Sequence, residues 1–490
     1  MWMDDSYWLN AARWVIRLHD SYRYVLSPGD FNGLTPHCLP LEFSHILPPV
    51  DMALVIPKDD VDRLSLEWLK KLRNFSVLYA DEVFVVLASD KRANLPSASE
   101  DQLKHMGRLW ERLEFALAPQ PARRTGIDTM LSDGASDKPF GILICSSQTG
   151  NAGDRLISMA AVELLRERWP ELSWIVTSSD VDRYLAQRAS CMVLGPGGYP
   201  YDIGATAGTA DLNNIAAYFK FGFLANEYNK PLIMLGAGDQ GIVTKLGRRF
   251  VAAAMENAQL AIVRHKETAS LLLNQLHFSG PLLAADDLSV ALAPRIREAG
   301  EALRSTETKT VTLCGYFGTH PAVNSSIIEC LTQARQHGHF TIRFVAQAKE
   351  DYDWLQNHGQ ALMELGDVSM VDVRETEPDV FIKAIAGSDV LMTTRFHGMM
   401  VGLMAGIETL VFGRHDDKRH RVLAGLSRGA ASFIDVENVQ AAEMTETINY
   451  VFASIGQEKQ RPAAFNQQSI DKIRQMLKGM ELPAPLPHCL

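Results

Sequence analysis

The stretch Pro139-Phe-Gly-Ile-Leu-Ile-Cys145, with the polar segment 146–153 and the helical pattern 154–168 behind it, decides the fold class. Residues 141–145 are continuously apolar, as expected for a parallel strand that is covered on both faces. The helical pattern carries an apolar stripe that includes Leu156 and Leu164, which indicates one buried face. A strand, a polar turn and an amphipathic helix in this order are the repeating unit of an open α/β sheet.

The same alternation continues to about residue 412, and the second lobe is predicted to end in C-terminal helices. Further strands of the first half are predicted at 174–177, 191–194, 231–235 and 260–263. Beyond a charged helical interval, a second set is predicted at 311–314, 341–345, 368–373, 390–392 and 409–412. We therefore predict an α/β protein with two Rossmann-like lobes, residues 139–293 and 308–490, that face each other across a cleft. Ligands are expected at the carboxyl ends of the strands.

The segment 1–125 is predicted to be a small N-terminal α/β module whose role the sequence does not define. Its strands 52–56 and 83–87, with the amphipathic helix 61–72 between them, form a βαβ-like unit. Trp-rich helical sequence around Trp8 and Trp14 precedes this unit. These rings could stack on sugars, but aromatic residues at helical spacing more often belong to a core.

Composition excludes several classes of protein. A net charge of -10 over 490 residues argues against a general nucleic-acid binder, which is normally basic. No apolar run approaches the roughly 18 to 20 residues that a membrane span needs, and the N-terminus lacks the basic region of a signal peptide. We therefore expect a cytoplasmic protein. No cluster of His, Cys and carboxylate residues has metal-ligand spacing, so no metal is predicted.

Three glycine-rich turns follow predicted strands. They are Gly150-Asn-Ala-Gly-Asp154, Gly195-Pro-Gly-Gly198 and Gly236-Ala-Gly-Asp-Gln-Gly241. Glycines let the backbone approach a ligand closely, and a helix N-terminus offers N–H groups to an anion. The first turn could equally be a tight connection in which Asp154 caps the helix.

The C-terminal half contains Ser388-Asp-Val-Leu-Met-Thr-Thr-Arg-Phe-His-Gly398, a strand that ends by presenting Arg395 and His397. Arg binds phosphate or carboxylate with two prongs, and His can donate a proton near neutral pH. The alternative is that Arg395 only pairs with Asp389 or Glu377 and that His397 only caps the next helix. Arg264 also ends a strand, where a surface ion pair is the alternative to a ligand role.

Taken in order, these segments resemble the polysaccharide pyruvyl transferase family. The matching features are the turn at 150–154, the loop at 195–198, a strand ending in Arg264, the segment Thr394-Arg-Phe-His-Gly398 and a downstream Lys418. The resemblance implies a glycosyltransferase-B-like fold and phosphoenolpyruvate as the donor substrate, with no other cofactor.

The resemblance also implies roles for individual residues. Arg264, Arg395 and His397 would hold the phosphate and carboxylate of the donor, together with the backbone of Phe396 and with Lys418. We expect His397 to act as general acid or phosphate clamp, because a tuned imidazole suits either role. A proton acceptor for the sugar could be Asp154 or Asp239. The glycine loops, with Asn151, Gly197 and Gly198, are expected to face the acceptor.

The expected reaction transfers pyruvate to two hydroxyls of a sugar, free or lipid-linked, in a bacterial-type exopolysaccharide or capsule. Peripheral membrane association and homo-oligomerisation stay open. Two alternatives remain: a glycosyltransferase of the same form that uses a nucleotide sugar, and a non-catalytic glycan-binding relative.

Overall fold

The computed structural model describes residues 4–118, 139–145, 150–178, 183–204, 210–238, 241–304, 309–316, 321–337, 339–415, 417–424, 431–437, 441–453 and 467–482. The chain divides into two compact units. The N-terminal unit consists of Met1–Ile144, Trp169–Ala284 and Met480–Leu490, and the C-terminal unit of Cys145–Arg168 and Ala285–Gly479.

The described strands form three sheets. The strands are β1 Tyr24–Ser27, β2 Cys38–Pro40, β3 Met52–Pro57, β4 Ser76–Ala80, β5 Phe84–Ala88, β6 Phe140–Ile144, β7 Ser173–Thr177, β8 Cys191–Leu194, β9 Leu232–Ala237, β10 Ala258–Val263, β11 Leu282–Ala284, β12 Lys309–Cys314, β13 Phe340–Ala346, β14 Val368–Asp372, β15 Val390–Thr393, β16 Glu408–Gly413 and β17 Ser432–Asp435.

Helices flank these sheets. The α-helices are α1 Ser6–Leu18, α2 Leu66–Lys71, α3 Glu100–Leu103, α4 Gly107–Leu117, α5 Ala152–Arg168, α6 Arg183–Arg188, α7 Asn213–Glu227, α8 Lys245–Met255, α9 Lys266–Ser270, α10 Ala293–Leu303, α11 Pro321–His337, α12 Lys349–His358, α13 Gln360–Met363, α14 Pro378–Ala386, α15 Phe396–Met404, α16 Lys418–Ala424, α17 Ala441–Ala453 and α18 Gln467–Lys478. The 3-10 segments are Gly29–Phe31, Leu41–His45, Lys58–Arg63, Leu72–Asn74, Lys104–Met106 and Leu288–Leu292, and a π-helical turn covers Leu271–Gln275.

The N-terminal sheet has the order β2-β1-β3-β5-β4 and is mixed. The predicted βαβ-like unit is wrong, because β3 and β5 pair antiparallel. Strand β4, which the sequence pattern did not indicate, forms a hairpin with β5. Asp81 closes that hairpin: its Oδ1 accepts the N–H of Val83 at 2.8 Å and that of Phe84 at 2.7 Å. A carboxylate that bonds the backbone two and three residues ahead is a turn former, so the chain reverses before β5.

The second sheet is parallel, with the order β11-β10-β9-β8-β6-β7. Every residue of β6, β8 and β9 is buried. Continuous burial explains why these strands are uniformly apolar, since helices cover both faces of such a sheet.

The third sheet is also parallel and has the order β14-β13-β12-β15-β16-β17. Numbered within its lobe, this is 3-2-1-4-5-6, the order of the Rossmann fold. The order reverses between β12 and β15, which are hydrogen-bonded neighbours. The predicted fold class, two Rossmann-like lobes preceded by a small α/β module, is confirmed.

One hydrophobic core runs through the N-terminal sheet and the first Rossmann-like sheet. Phe43 stacks on Phe250 of α8 at a ring distance of 4.4 Å, and His45 stacks on Phe223 of α7 at 4.6 Å. Arg183 forms a buried ion pair with Glu227 and donates to the carbonyl of Asp62. Trp8, in turn, packs against Phe31 and Phe84 inside the module, as a core residue does.

Helix α5 belongs to the C-terminal unit. Its Glu163 pairs with Arg295 of α10 at 2.9 Å, and its Glu167 pairs with Arg474 of α18 at 2.9 Å. None of the helices that the structure describes combines the length and the apolar character needed to cross a membrane.

Candidate active site

The strand order places the Arg395–His397 segment at the point where the third sheet changes direction. Strand β15 ends at Thr393, and α15 begins three residues later with Arg395 as its N-cap residue. Thr393 Oγ1 accepts the N–H of Arg395 at 3.0 Å and donates to the carbonyl of Cys314, the last residue of β12, at 2.7 Å. Ligands of open α/β sheets bind at the carboxyl ends of strands beside such a reversal.

Helix α15 begins directly over these two strands. A Cβ atom on Gly398 would lie 2.8 Å from Thr393 Oγ1 and 3.0 Å from Cys314 Sγ, so the helix can approach this closely only with glycine there. The side chain of the N-cap residue, Arg395, does not cap the first turn of α15. The first backbone N–H groups of a helix carry a partial positive charge and favour an anion. The helix N-terminus is therefore suited to a phosphate or carboxylate group.

Arg395 forms ion pairs with two carboxylates of α12. Its Nε and Nη2 donate to Asp351 Oδ1 at 2.8 and 2.6 Å, and Nη2 also donates to Glu350 Oε2 at 3.1 Å. Burial pulls the pKa of Arg395 down, but the two carboxylates outweigh it and hold the pKa above its usual range. The alternative that Arg395 pairs with Asp389 or Glu377 is wrong, because its partners are Asp351 and Glu350.

Asp351 was not singled out in the sequence. Its side chain is fully buried, and Oδ2 accepts the N–H groups of Gln347 and Ala348 at 2.9 and 3.0 Å. The carboxylate therefore links the end of β13 to the guanidinium of Arg395. The local signal was weak: an Asp in the first turn of a helix is a common stabiliser of the helix itself.

His397 is enclosed by other parts of the C-terminal unit. Its side chain is 7% exposed, and Nε2 lies 3.6 Å from Oδ2 of Asp287. On the other side, a Cβ atom added to Gly153 would lie 2.3 Å from His397 Nδ1. The imidazole therefore has little room to turn.

The turn at residues 150–154 lies against the end of β13. Ala152 donates its N–H to the carbonyl of Gln347 at 3.0 Å, and Gln347 Nε2 donates to Asn151 Oδ1 at 3.1 Å. Asn151 Oδ1 also accepts the N–H of Gly153 at 2.9 Å. The turn that holds Asn151 and Gly153 therefore packs against both Gln347 and His397. Asp154 follows in the first turn of α5.

Lys418 lies close to the same segment. Its Nζ is 4.9 Å from the centre of the Phe396 ring. The neighbouring Arg419 donates to the carbonyl of Thr394 and pairs with Asp417. Burial raises the pKa of Asp417, but Arg419 and backbone N–H donors outweigh it and hold the pKa below its usual range. Arg419 therefore connects the start of α16 to the end of β15.

In the N-terminal unit, Arg264 lies over a glycine turn. A Cβ atom on Gly238 would lie 2.1 Å from Arg264 Nε, and the N–H of Arg264 donates to the carbonyl of Ala237 at 3.0 Å. Gly238 in turn donates its N–H to the carbonyl of Gly197 at 2.8 Å. Gly197 has a φ of 152°, a backbone conformation that favours glycine. Arg264 and two glycine turns therefore meet at one edge of the second sheet.

Some predicted features lie elsewhere. Asp239 lies outside the described residues, and its proposed role stays a prediction. Gly198 is half-buried beside Gly197. Within the described ranges, no three His, Cys, Asp or Glu side chains are grouped closely enough to hold a metal ion.

Comparisons with known proteins identify the family. The sequence profile of the polysaccharide pyruvyl transferase family matches residues 151–416, which is more than half of the chain. A search of curated protein sequences found no match.

Several solved structures are similar in part. UDP-GlcNAc 2-epimerase from Neisseria meningitidis, bound to UDP-GlcNAc, is 12% identical with a TM-score of 0.42, over 70% of this chain and 100% of that one. UDP-GlcNAc 2-epimerase from Methanocaldococcus jannaschii is 9% identical with a TM-score of 0.42, over 69% and 99%. The ADP-heptose LPS heptosyltransferase II of E. coli is 12% identical with a TM-score of 0.35, over 64% and 99%. We draw no function from likenesses this distant.

The two Rossmann-like lobes, each with an Arg at the carboxyl edge of its parallel sheet, define an α/β protein suited to an anionic ligand. The chain belongs to the polysaccharide pyruvyl transferase family. This membership supports an enzyme of the transferase class that acts in polysaccharide biosynthesis.

Proposed function

We propose that the protein transfers pyruvate from phosphoenolpyruvate to two hydroxyls of a sugar, forming a pyruvate ketal and releasing phosphate. The observation that carries the proposal is the N-terminus of α15, flanked by Arg395 and Lys418 at the reversal of the third sheet. This site combines backbone donors with two cationic side chains, and the donor substrate carries a phosphate and a carboxylate.

The chemistry has three steps. The methylene carbon of the enol takes up a proton, which creates a cation at the carbon that bears the phosphate. A first sugar hydroxyl attacks this cation and loses its proton. A second hydroxyl then displaces the phosphate, loses its proton and closes the ring.

The cationic groups stabilise the departing phosphate and hold the carboxylate in place. In this proposal Arg395, Lys418 and the N–H groups of Phe396 and His397 bind the donor, and Arg264 is a further donor ligand that the family pattern implies. His397 supplies the proton or clamps the phosphate. Asp154 or Asp239 accepts a proton from the sugar. The glycine turns with Asn151, Gly197 and Gly198 receive the acceptor, a sugar or lipid-linked glycan of a surface polysaccharide, in the cytoplasm.

The test is a calorimetric titration of phosphoenolpyruvate into the wild-type protein, with UDP-sugars as parallel ligands. We expect saturable binding of phosphoenolpyruvate that weakens about tenfold or more in Arg395→Ala, since a hydrogen bond between charged groups contributes about 1.5–3 kcal/mol. Because Arg395→Ala leaves Asp351 buried without its partner, Lys418→Ala serves as a second variant at an exposed position.

The matched control is Lys472→Ala, which removes an exposed lysine of α18 and should leave binding unchanged. Binding of a UDP-sugar in place of phosphoenolpyruvate would contradict the proposal and favour a glycosyltransferase. Phosphate release with candidate glycans then identifies the acceptor.

A chelator in the same phosphate-release assay tests the prediction that no metal is needed. Loss of activity on adding the chelator would contradict that prediction.

A further inference from the structure

Asp287 is a buried carboxylate that the proposed mechanism does not use. It follows β11 and caps the 3-10 segment Leu288–Leu292, with Oδ1 accepting the N–H of Ser289 at 3.0 Å. The side chain is 3% exposed. Carboxylates are rarely buried this completely unless they are paired, so the partners of Asp287 decide what it does.

The second oxygen of Asp287 faces His397 of the candidate active site. Oδ2 lies 3.6 Å from Nε2 of His397, whose side chain is 7% exposed. Water reaches neither group well, and charges interact more strongly where water is excluded. Nε2 is buried and forms no hydrogen bond within the part of the chain that the structure describes, so an N–H on Nε2 would face the carboxylate of Asp287.

The turn at residues 150–154 packs against the Nδ1 side of the imidazole. Gly153 leaves no space for even a methyl group beside Nδ1, since a Cβ atom there would lie 2.3 Å away. Asn151 fixes this turn by accepting hydrogen bonds from Gly153 and Gln347. The ring is therefore held between a charged group and a fixed backbone segment.

We propose that Asp287 is a positioning residue for His397: it fixes the ring orientation and keeps a proton on Nε2. The inference rests on the proposed function, because the role of His397 in pyruvyl transfer gives this arrangement its purpose. Histidines at reactive sites commonly depend on a partner of this kind for their tautomer.

The variant Asp287→Asn removes the charge but keeps an oxygen that can accept the N–H of Ser289. We expect kcat for phosphate release from phosphoenolpyruvate to fall about tenfold to hundredfold, and KM to change by less than about threefold, because the interaction acts on the chemical step. Introduced into His397→Gln, the same change should alter kcat by less than about twofold, because residues that act through each other are not additive.

The control is Asp389→Asn. Asp389 accepts the N–H of Thr310 at 2.8 Å and pairs with Lys309 at 3.2 Å, at the amino edge of the third sheet. It is also a largely buried carboxylate, 15% exposed. If Asp389→Asn lowers kcat as much as Asp287→Asn does, the effect is general destabilisation and the inference is overturned.

A second measurement does not depend on activity. In protein labelled with ¹⁵N-histidine, the His397 signal, assigned by its loss in His397→Gln, should report a proton on Nε2 that Asp287→Asn shifts towards Nδ1. An unchanged signal in Asp287→Asn overturns the inference.

If phosphoenolpyruvate is turned over and Asp287→Asn is as fast as wild type, the inference fails and the proposed function stands. If no turnover occurs, the proposed function fails and the ¹⁵N signal alone decides the inference.

Discussion

Arg395 and Asp351 are joined by three hydrogen bonds: Nε donates to Oδ1 at 2.8 Å and to Oδ2 at 3.1 Å, and Nη2 donates to Oδ1 at 2.6 Å. Asp351 is fully buried. Glu350 contacts the same guanidinium at 3.1 Å, but its side chain is 65% exposed. The two carboxylates therefore form an internal comparison between a buried and an exposed partner of one arginine.

Asp351→Ala should destabilise the C-terminal unit by about 3–5 kcal/mol. It removes the buried partner of Arg395, leaving only the exposed Glu350, and it removes the acceptor of the N–H groups of Gln347 and Ala348. Glu350→Ala should cost less than about 1 kcal/mol, as is usual for exposed ion pairs. Trp354 is the one tryptophan in the sequence of this unit, so urea unfolding followed by fluorotryptophan NMR reports on the unit selectively. An equal loss in the free energy of unfolding for the two variants would show that the burial of Asp351 does not determine its contribution to stability.

Acid should weaken the N-terminal unit through His45. Burial, helped by the charge of Arg183, lowers the pKa of His45 to about 3, whereas an unfolded histidine titrates near 6.5. The neutral imidazole therefore contributes its full stability above about pH 6.5, and this contribution is lost progressively as the pH falls towards 3. We expect the free energy of unfolding to fall by about 1.4 kcal/mol per pH unit, or by about 2 kcal/mol between pH 6.5 and 5.

The measurement is the free energy of urea unfolding at pH 7, 6 and 5 for wild type and His45→Asn. In His45→Asn the free energy of unfolding should fall less steeply with decreasing pH than in the wild type. His339, whose side chain is 75% exposed, provides the control, and His339→Asn should keep the wild-type slope. Identical slopes in wild type and His45→Asn would contradict the prediction.

Gly153→Ala should disturb the site without changing any charge. The new methyl group would lie 2.3 Å from His397 Nδ1 and 2.7 Å from Gln347 Nε2, and overpacking of this kind costs about 1–3 kcal/mol. We expect lower thermal stability of the C-terminal unit and loss of most transferase activity. Gly107→Ala is the control, because a Cβ atom there meets nothing within 4 Å at the start of α4. Wild-type behaviour of both variants would show that the turn can move away from His397.

Arg419→Ala should weaken donor binding although Arg419 is not expected to contact the donor. Its bonds to the carbonyl of Thr394 and to Asp417 fix the start of α16, where Lys418 lies. We expect the Kd for phosphoenolpyruvate to rise about tenfold, as for loss of one hydrogen bond between charged groups. Arg421→Ala removes an exposed arginine of the same helix and should leave the Kd unchanged. A similar Kd for both variants would mean that helix position does not depend on Arg419.

The two parallel sheets could be predicted because burial on both faces makes each strand a continuous apolar run. Strand Cys191–Leu194, for example, has the bounds that its apolar run indicates. Short strands such as Leu282–Ala284, which is only half-buried or exposed, leave no such signal and were missed. The hairpin formed by β4 and β5 was also missed, because hydrophobic runs do not show whether neighbouring strands are parallel or antiparallel.

The position of Arg395 and His397 at a strand–helix junction could be predicted from the sequence, whereas their partners could not. Arg395 and His397 stand out because charged residues interrupt an apolar strand–helix junction. Asp351 and Asp287 are separated from them by 44 and 110 positions in the chain, and only the folded sheet brings them together. No local pattern in the sequence encodes such a pair.

The placement of β6 sets the limits of any shortened version of this protein. Strand β6 lies between β8 and β7 inside the second sheet, yet it ends at Ile144, before the segment 151–416 that the family profile matches. A fragment cut at the family boundaries would lose this interior strand together with the layer that covers Phe223 and Phe250. Such a fragment would expose unpaired strand edges and apolar rings, and we expect it to aggregate during expression. A shortened version of the protein should therefore start before α1, so that it keeps both the N-terminal sheet and β6.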